Sequence, residues 1–206
     1  MKTKLLFATN NNFKFALMKK RLQVFDSIEL ISPKTLGIQI NVIENGKTAE
    51  ENSIKKATAY YNATKIPTIA EDAGLYIDKF KDEEQPGLFV KRINGKEGLS
   101  DREIFNYYLN KIKDYGGSSK AHYYTGVAIV DSNGTVHSDT FNETEFLLTS
   151  EVCPIKSIDG GILEPMSFDI EANKYFNERT STEEDHHYEE LNMRYRQLIK
   201  QYIINA

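Results

Sequence analysis

Two acids stand side by side in the stretch TIAEDAGLYID, residues 68–78. Glu71 and Asp72 follow a short apolar run and precede Gly74. Carboxylates just past the carboxyl end of a strand stand where α/β sheets usually take their ligands. Mg2+ is satisfied by one or two carboxylates together with substrate phosphates and water. The same residues would also serve as an Asp-Gly type of turn between strands. The pair gains a chemical meaning only from its company.

That company begins with FATNNNFK, residues 7–14. A polar loop between a strand and a helix points backbone N–H groups at whatever sits above it, and a helix N-terminus favours phosphate. Thr9, Asn10 and Asn11 can donate from their side chains, and Lys14 brings a full charge. The loop holds no glycine, so it is not a Walker loop. Its plainer reading is a capped helix with a polar first turn. In TAEENSIKKATAYYNATK, residues 48–65, Thr48 and Glu51 read as a capping box. Asn52 and Lys56 follow; Lys56 lies roughly 140° around the helix from Glu51, so the two do not share a face. In QPGLFVKRI, residues 85–93, Pro86 and Gly87 turn the chain and Arg92 follows on an apolar, strand-like run. A lone Arg there is a salt-bridge partner or a phosphate clamp. His186 and His187 are adjacent on a helix, about 100° apart, and read as solvated rather than as a metal well. Cys153 has no His or Asp pattern around it and receives no catalytic role.

The elements that position these residues follow from periodicity. KLLFA (4–8) reads as a buried strand, and Phe13, Ala16, Leu17 and Lys20 recur at helical spacing behind it. IELISP (28–33) is a second strand ended by Pro33. The helix over 48–65 has Ile54, Ala57 and Tyr61 on its buried face. IPTIA (66–70) is a buried strand, with the acids just beyond its end. SDRE (100–103) is another capping box, opening a helix that carries Ile104, Tyr108 and Ile112. Residues 121–141 read as a hairpin with Asn133-Gly134 in a type I′ turn, and a strand follows at 143–149. Residues 150–182 are irregular and hold Pro154, Gly160, Gly161 and Pro165. From 184 to 204 a helix returns with Leu191, Tyr195, Leu198 and Tyr202 on one stripe. The sum is an α/β protein, expected as a single domain over 1–206.

Composition narrows the function classes. A formal charge of −4 on 206 residues argues against a protein that grips nucleic acid, which needs a basic face. A lone cysteine forms no internal disulfide. No run approaches the roughly 18 apolar residues of a membrane helix, and the opening apolar run is too short for a signal peptide. The expectation is a cytoplasmic protein with no nucleic-acid or membrane partner.

Taken in order, these segments resemble the inosine triphosphate pyrophosphatase family, house-cleaning enzymes that hydrolyse noncanonical purine nucleoside triphosphates. The family's strand–(S/T)xNxxK–helix opening is matched by TNNNFK, with Thr9, Asn11 and Lys14 in place. Its TFxEN…KA helix is matched by Glu51, Asn52 and Lys56. Its (A/E)DSGL is matched by AEDAGL, with Glu71, Asp72 and Gly74, and Ala73 in the serine position. Its APGxxSxR is matched by Pro86, Gly87 and Arg92. The last third departs. The GFGYDPxF loop reads GGILEPMSF (160–168), where Gly160 and Pro165 fit, Glu164 stands for Asp and the aromatic before the second glycine is gone. The SHR motif reads NMR (192–194), and only Arg194 fits.

The resemblance implies a long mixed β-sheet flanked by helices, in two lobes around a central cleft, usually as a homodimer. It implies cleavage between the α- and β-phosphates of a nucleoside triphosphate. Asp72 would be the general base or a metal ligand, with Glu71 supporting it, and Glu51 would complete a Mg2+ site with Asp72. Thr9, Asn10, Asn11, Lys14, Asn52 and Lys56 would hold the substrate, with Ala73, Arg92, Glu164 and Arg194 as further contact positions. The rewritten base-reading motifs leave two alternatives: the same reaction on another nucleotide, or a nucleotide-binding relative without catalysis.

Overall fold

The computed structural model describes residues 2–155 and 161–205. The fold is a mixed α/β one, with a multi-stranded sheet flanked by helices. Eight strands pair among the described residues. The chain forms two compact units: Met1–Ala73 with Thr125–Phe141 and Glu190–Ala206, and Gly74–Tyr124 with Asn142–Glu189.

The first unit begins with strand β1 (Thr3–Phe7), helix α1 (Asn12–Leu22) and strand β2 (Ile28–Ile31). Helix α2 (Ala49–Thr64) and strand β3 (Thr68–Ile77) follow. β1 pairs in parallel with β2 on one side and with the start of β3 on the other. Parallel strands need crossover helices, and α1 and α2 supply them. The second half of strand β4 (Ser118–Val130) and strand β5 (Val136–Asn142) complete this unit's sheet. The core gathers Leu6, Ala8, Ala70, Ala128 and Val130 from the strands and Ala57 and Tyr60 from α2. The buried face of α2 is therefore Asn52, Ser53, Ala57 and Tyr60, displaced from the expected Ile54–Ala57–Tyr61 stripe. The displacement buries two polar side chains, and both are bonded: Ser53 Oγ donates to Glu50 O, and Asn52 serves the site described below.

The hairpin lies where it is expected, but its turn is not type I′. That turn needs φ > 0 at both central residues. Only Gly134, at φ 84°, has it. Asp131 instead holds the loop, with Oδ1 accepting from the backbone N–H of Asn133 and of Thr135.

In the second unit the later half of β3 and the earlier half of β4 join strands β6 (Phe146–Thr149), β7 (Ser167–Asp169) and β8 (Lys174–Tyr175), the last three pairings antiparallel. Helix α3 (Asp101–Asp114) packs on them, capped reciprocally by Ser100 and Glu103 as its sequence predicts. Ile104, Tyr108 and Ile112 meet Leu75, Ile77, Phe146 and Leu148 in one core. Each isoleucine so buried contributes about 1.5–3 kcal/mol.

The expected C-terminal helix is broken at Tyr188, between α4 (Ser181–His187) and α5 (Glu189–Ile199), and ends in a π turn, Lys200–Ile204. Its buried stripe starts with Leu191 and Tyr195 as expected and then drifts to Ile199 and Ile203. His187 is not solvated. It is buried edge-on against Phe176 and Tyr188, with Nδ1 3.1 Å from Asp169 Oδ2. Of the adjacent pair only His186 faces solvent, as the angle between neighbours on a helix requires.

Candidate active site

Of the expected polar residues of the first unit, Lys14, Asn52 and Lys56 reach Glu71 and Asp72 on β3. Glu71 and Asp72 do not lie beyond a strand end. β3 runs through them to Ile77, because Gly74 lets Gly87 approach, and Leu75 and Gly87 exchange two backbone hydrogen bonds at 2.9 and 3.0 Å. Successive residues of a strand point to opposite faces. The two acids accordingly have different partners: Asp72 meets α2, and Glu71 meets α1 and α5.

On the Asp72 face, Asn52 Nδ2 donates to Asp72 Oδ2 at 2.9 Å. Asn52 Oδ1 accepts from the Gly46 N–H at 2.7 Å, so the buried amide is used at both ends and its orientation is fixed. A Cβ on Gly46 would stand 2.6 Å from that oxygen, which is why a glycine precedes the helix. Asp72 Oδ1 carries no protein hydrogen bond among the described residues. Lys56 Nζ lies 3.1 Å from Glu44 Oε2 and donates to the backbone O of Glu71 at 3.3 Å. It thus reaches β3, one turn along α2 from Asn52.

Glu51 does not close the expected capping box. Thr48 Oγ1 does accept from the Glu51 N–H at 3.1 Å, but Glu51 Oε2 accepts from the N–H of Lys47, one residue before the cap. Glu51 is exposed. The start of α2 is pressed onto β4 at Gly126, where a Cβ would fall 2.3 Å from Glu50 N. A lone glycine inside a strand signals such an approach.

On the Glu71 face, the loop after β1 runs beside β3, with Ala8 N–H donating to Ile69 O at 2.9 Å. Thr9 Oγ1 accepts from the Asn11 N–H, and Asn11 Oδ1 caps α1 by accepting from the Lys14 N–H, both at 3.1 Å. Asn10 is exposed. Lys14 Nζ stands 3.5 Å from Glu71 Oε1. Glu71 Oε2 accepts the Tyr195 hydroxyl at 2.5 Å and lies 3.8 Å from Arg21 Nη1. Burial alone would raise the Glu71 pKa. The charges of Lys14 and Arg21 and the Tyr195 hydrogen bond outweigh it and hold the carboxyl below its ordinary value.

The remaining expected residues stand apart from these contacts. Arg194, in the first unit, is exposed, paired at 3.4 Å with Glu190 and 5.9 Å from the Phe141 ring. Ala73 is half-buried in β3. In the second unit, Arg92 closes a turn rather than riding a strand: its N–H donates to Phe89 O, and Nε is 3.2 Å from Glu97. Glu164 opens a 3-10 turn, Glu164–Met166, and burial pushes its carboxyl up to about 7, against the nearby Arg179 charge. Gly160 lies outside the described residues.

Hard oxygen ligands suit Mg2+. The donors at hand are Asp72, with one unbonded oxygen, and Glu51, solvent-facing at the helix start. Among the described residues no three of His, Cys, Asp and Glu converge to hold an ion by themselves. The open oxygen of Asp72 suits a cation that takes its other ligands from phosphate and water.

The model of the Ham1 family matches residues 5–145, which carry all four motifs. The chain belongs to the Ham1 family. It is 35% identical over 133 residues to a dITP/XTP pyrophosphatase of Leptospira interrogans, covering 65% of each chain. It is 32% identical over 177 residues to a dITP/XTP pyrophosphatase of Leptospira biflexa, covering 86% of this chain and 85% of that one. The fold is similar to that of a HAM1 protein from Coxiella burnetii, with a TM-score of 0.67 at 21% identity, covering 95% and 99% of the two chains. The resemblance read from the motifs is borne out, as is the mixed α/β fold.

Sequence reasoning missed four residues that order this candidate site. Arg21 and Tyr195 bind Glu71, Glu44 binds Lys56, and Gly126 lets α2 approach the sheet. Only Gly126 had a local signal. No helix among the described residues is long and apolar enough to cross a membrane.

Proposed function

We propose that this chain is a Mg2+-dependent nucleoside triphosphate pyrophosphohydrolase acting on noncanonical purine nucleotides of the ITP, XTP and dITP type. The products would be the monophosphate and pyrophosphate. Membership of the Ham1 family and relatives named dITP/XTP pyrophosphatase support the reaction class. The observation that carries it is Asp72, with one oxygen fixed by Asn52 and the other left for a ligand or a proton.

In this reading Asp72 orients the attacking water and accepts its proton as the α–β phosphate link breaks. Glu51 and Asp72 would hold Mg2+, which when bound supplies charge neutralisation on the phosphates and a more acidic water. Lys14 and Lys56 balance phosphate charge, and Thr9, Asn10 and Asn11 line the turn at the α1 N-terminus. Glu71 supports Asp72 from the opposite face of β3. Ala73, Arg92, Glu164 and Arg194 are proposed substrate contacts on the motif matches alone. A homodimer and a cytoplasmic location, where nucleotide pools lie, complete the proposal.

A second reading keeps the reaction and changes the nucleotide. The pairing of Arg194 with Glu190 favours it, because the one residue retained from the base-contacting motif is engaged within its own helix. Pyrophosphate release with Mg2+ is to be measured across ITP, XTP, dITP and the standard triphosphates, with Asp72→Asn as control. Preference for the first three is expected. Equal or better turnover of ATP and GTP overturns the substrate class, and silence across the panel overturns the reaction.

A further inference from the structure

Glu71 is an unusual carboxylate for a reaction centre, because its oxygens are occupied by the protein. Oε2 takes the hydroxyl of Tyr195, a residue with no exposed surface on α5, 124 positions away in sequence. The Phe141 ring stands edge-on to Tyr195, 5.5 Å between centroids, and the Arg21 guanidinium carbon lies 4.8 Å from the Tyr195 ring centre. Arg21 is buried and held from two sides. Its Nε donates to Asn192 Oδ1 at 3.1 Å, and its backbone O accepts from Arg196 Nε at 2.9 Å. Both of these partners sit on α5, on either side of Tyr195 in sequence.

Oε1 faces Lys14. Lysine carries a flexible stem and about 2 kcal/mol of rotamer entropy, so an ammonium meant for a phosphate gains from being held before the ligand arrives. A carboxylate bonded to Lys14 alone would also cancel its charge. Here Arg21 stands beside the same carboxylate, so Lys14 is not its sole counter-charge. The Lys14 ammonium stays open to an anion on its exposed side, where the side chain keeps 30% of its surface.

We propose that Tyr195 and Arg21 are positioning residues for polyphosphate binding: they fix Glu71, and Glu71 presents the Lys14 ammonium to the triphosphate. α5 thereby orders the loop after β1, and Glu71 acts through Lys14 rather than on the reacting atoms. The proposal rests on the reading of the site as a nucleotide pyrophosphatase, and its test is separable from that reading.

The probe is inorganic tripolyphosphate, with affinity measured by calorimetry on the full chain beside KM and kcat for the best nucleotide. Tyr195→Phe removes one hydroxyl and keeps the ring. Loss of a hydrogen bond to a charged group corresponds to roughly 10-fold or more. We expect tripolyphosphate affinity to fall by about that factor, KM to rise with it, and kcat to hold within about threefold. Glu71→Gln should weaken binding likewise, as a second variant should Tyr195→Phe fold poorly. In a Lys14→Met background the effect of Tyr195→Phe on binding should vanish, because contacting residues are not additive. An equal loss with and without Lys14, or unchanged affinity in Tyr195→Phe and Glu71→Gln, overturns the positioning role. A chain that binds tripolyphosphate with these dependences but cleaves no nucleotide supports the positioning role and overturns the pyrophosphatase reading. A chain that cleaves nucleotides but binds no tripolyphosphate overturns the positioning proposal and leaves the pyrophosphatase reading standing.

Discussion

The two units use buried charge in opposite ways. In the first, charged and amide side chains are bonded to one another but leave an outlet: Asp72 keeps an unbonded oxygen, and Lys14 an open side. In the second, charge is closed on itself. Arg179 Nη1 donates to Asp169 Oδ2 at 3.1 Å, and His187 Nδ1 reaches the same oxygen at 3.1 Å. The N–H groups of Glu171 and Ala172 take Asp169 Oδ1, and Arg179 stacks 3.8 Å from the Phe176 ring centre. These three side chains are all 4% exposed or less. A polar cluster with every bond made inside the protein holds the fold, whereas one with an open oxygen and an exposed ammonium is able to take a ligand. The difference predicts which substitutions cost activity and which cost stability.

The largest effect should come from Asp72→Asn. In the proposed role Asp72 is the general base, and losing one costs about 10²–10⁴-fold in rate. Pyrophosphate release should fall by that factor, with little change in melting temperature, since Asn keeps the size and can still accept from Asn52. A fall in stability without a fall in rate would put Asp72 in the closed class. Next is Arg179→Met, which leaves Asp169 buried beside a histidine whose own pKa burial lowers to about 4. Breaking such a pair costs roughly 3–5 kcal/mol. Urea unfolding should show that loss, while the folded fraction keeps its kcat. A large drop in kcat at normal stability would give the second unit's cluster a chemical role.

The third effect is a pH dependence. Glu164 titrates near 7 in the folded chain because burial disfavours its charge, against an ordinary value of 4.5. Below about pH 4.5 it is protonated in both states. As pH rises toward 7 the unfolded chain gives up the proton and the folded one keeps it, so stability falls, and above about 7 the loss is complete. At about 1.4 kcal/mol per pKa unit, the fall is on the order of 3 kcal/mol. Glu164→Gln should remove this part of the slope between pH 4.5 and 8 in urea titrations. An unchanged slope would mean that Glu164 is solvated and charged throughout.

The contrast between the units also tracks what could be read in the sequence. Capping by Ser100 and Glu103 and the Ile104–Tyr108–Ile112 stripe are local, three or four residues apart, and the chain states them directly. The residues of the Ham1 motifs were legible as candidates, but their pairing was not. Taking β3 to end at Ala70 set Glu71 and Asp72 together, when period-two alternation through Ile77 sends them to opposite faces. Tyr195 was visible as a buried helix position, and nothing local tells its hydroxyl to seek Glu71. The same holds for His187, whose neighbour His186 is solvated as expected while its own ring is claimed by Asp169. Long-range partners depend on topology, which local patterns leave open.

The smallest effect tests whether a backbone contact, rather than a charge, sets the first unit's outlet. Gly126 lies against the first turn of α2, with a Cβ placed 2.5 Å from Ala49 C and 2.6 Å from Glu50 Cα. These are backbone atoms, so relief requires moving the helix start rather than a side-chain end. Overpacking of this kind costs about 1–3 kcal/mol. Asn52 sits in that turn and holds Asp72, so Gly126→Ala should also lengthen the Asn52–Asp72 hydrogen bond. The rate should then fall more than the stability loss accounts for, with tripolyphosphate affinity less affected because Lys14 is held from the other face of β3. Equal losses in rate and affinity would mean that both faces move together. Wild-type kinetics would mean that the strain at Ala49 and Glu50 is relieved without moving Asn52, and the first unit's geometry would then be set by its charges alone.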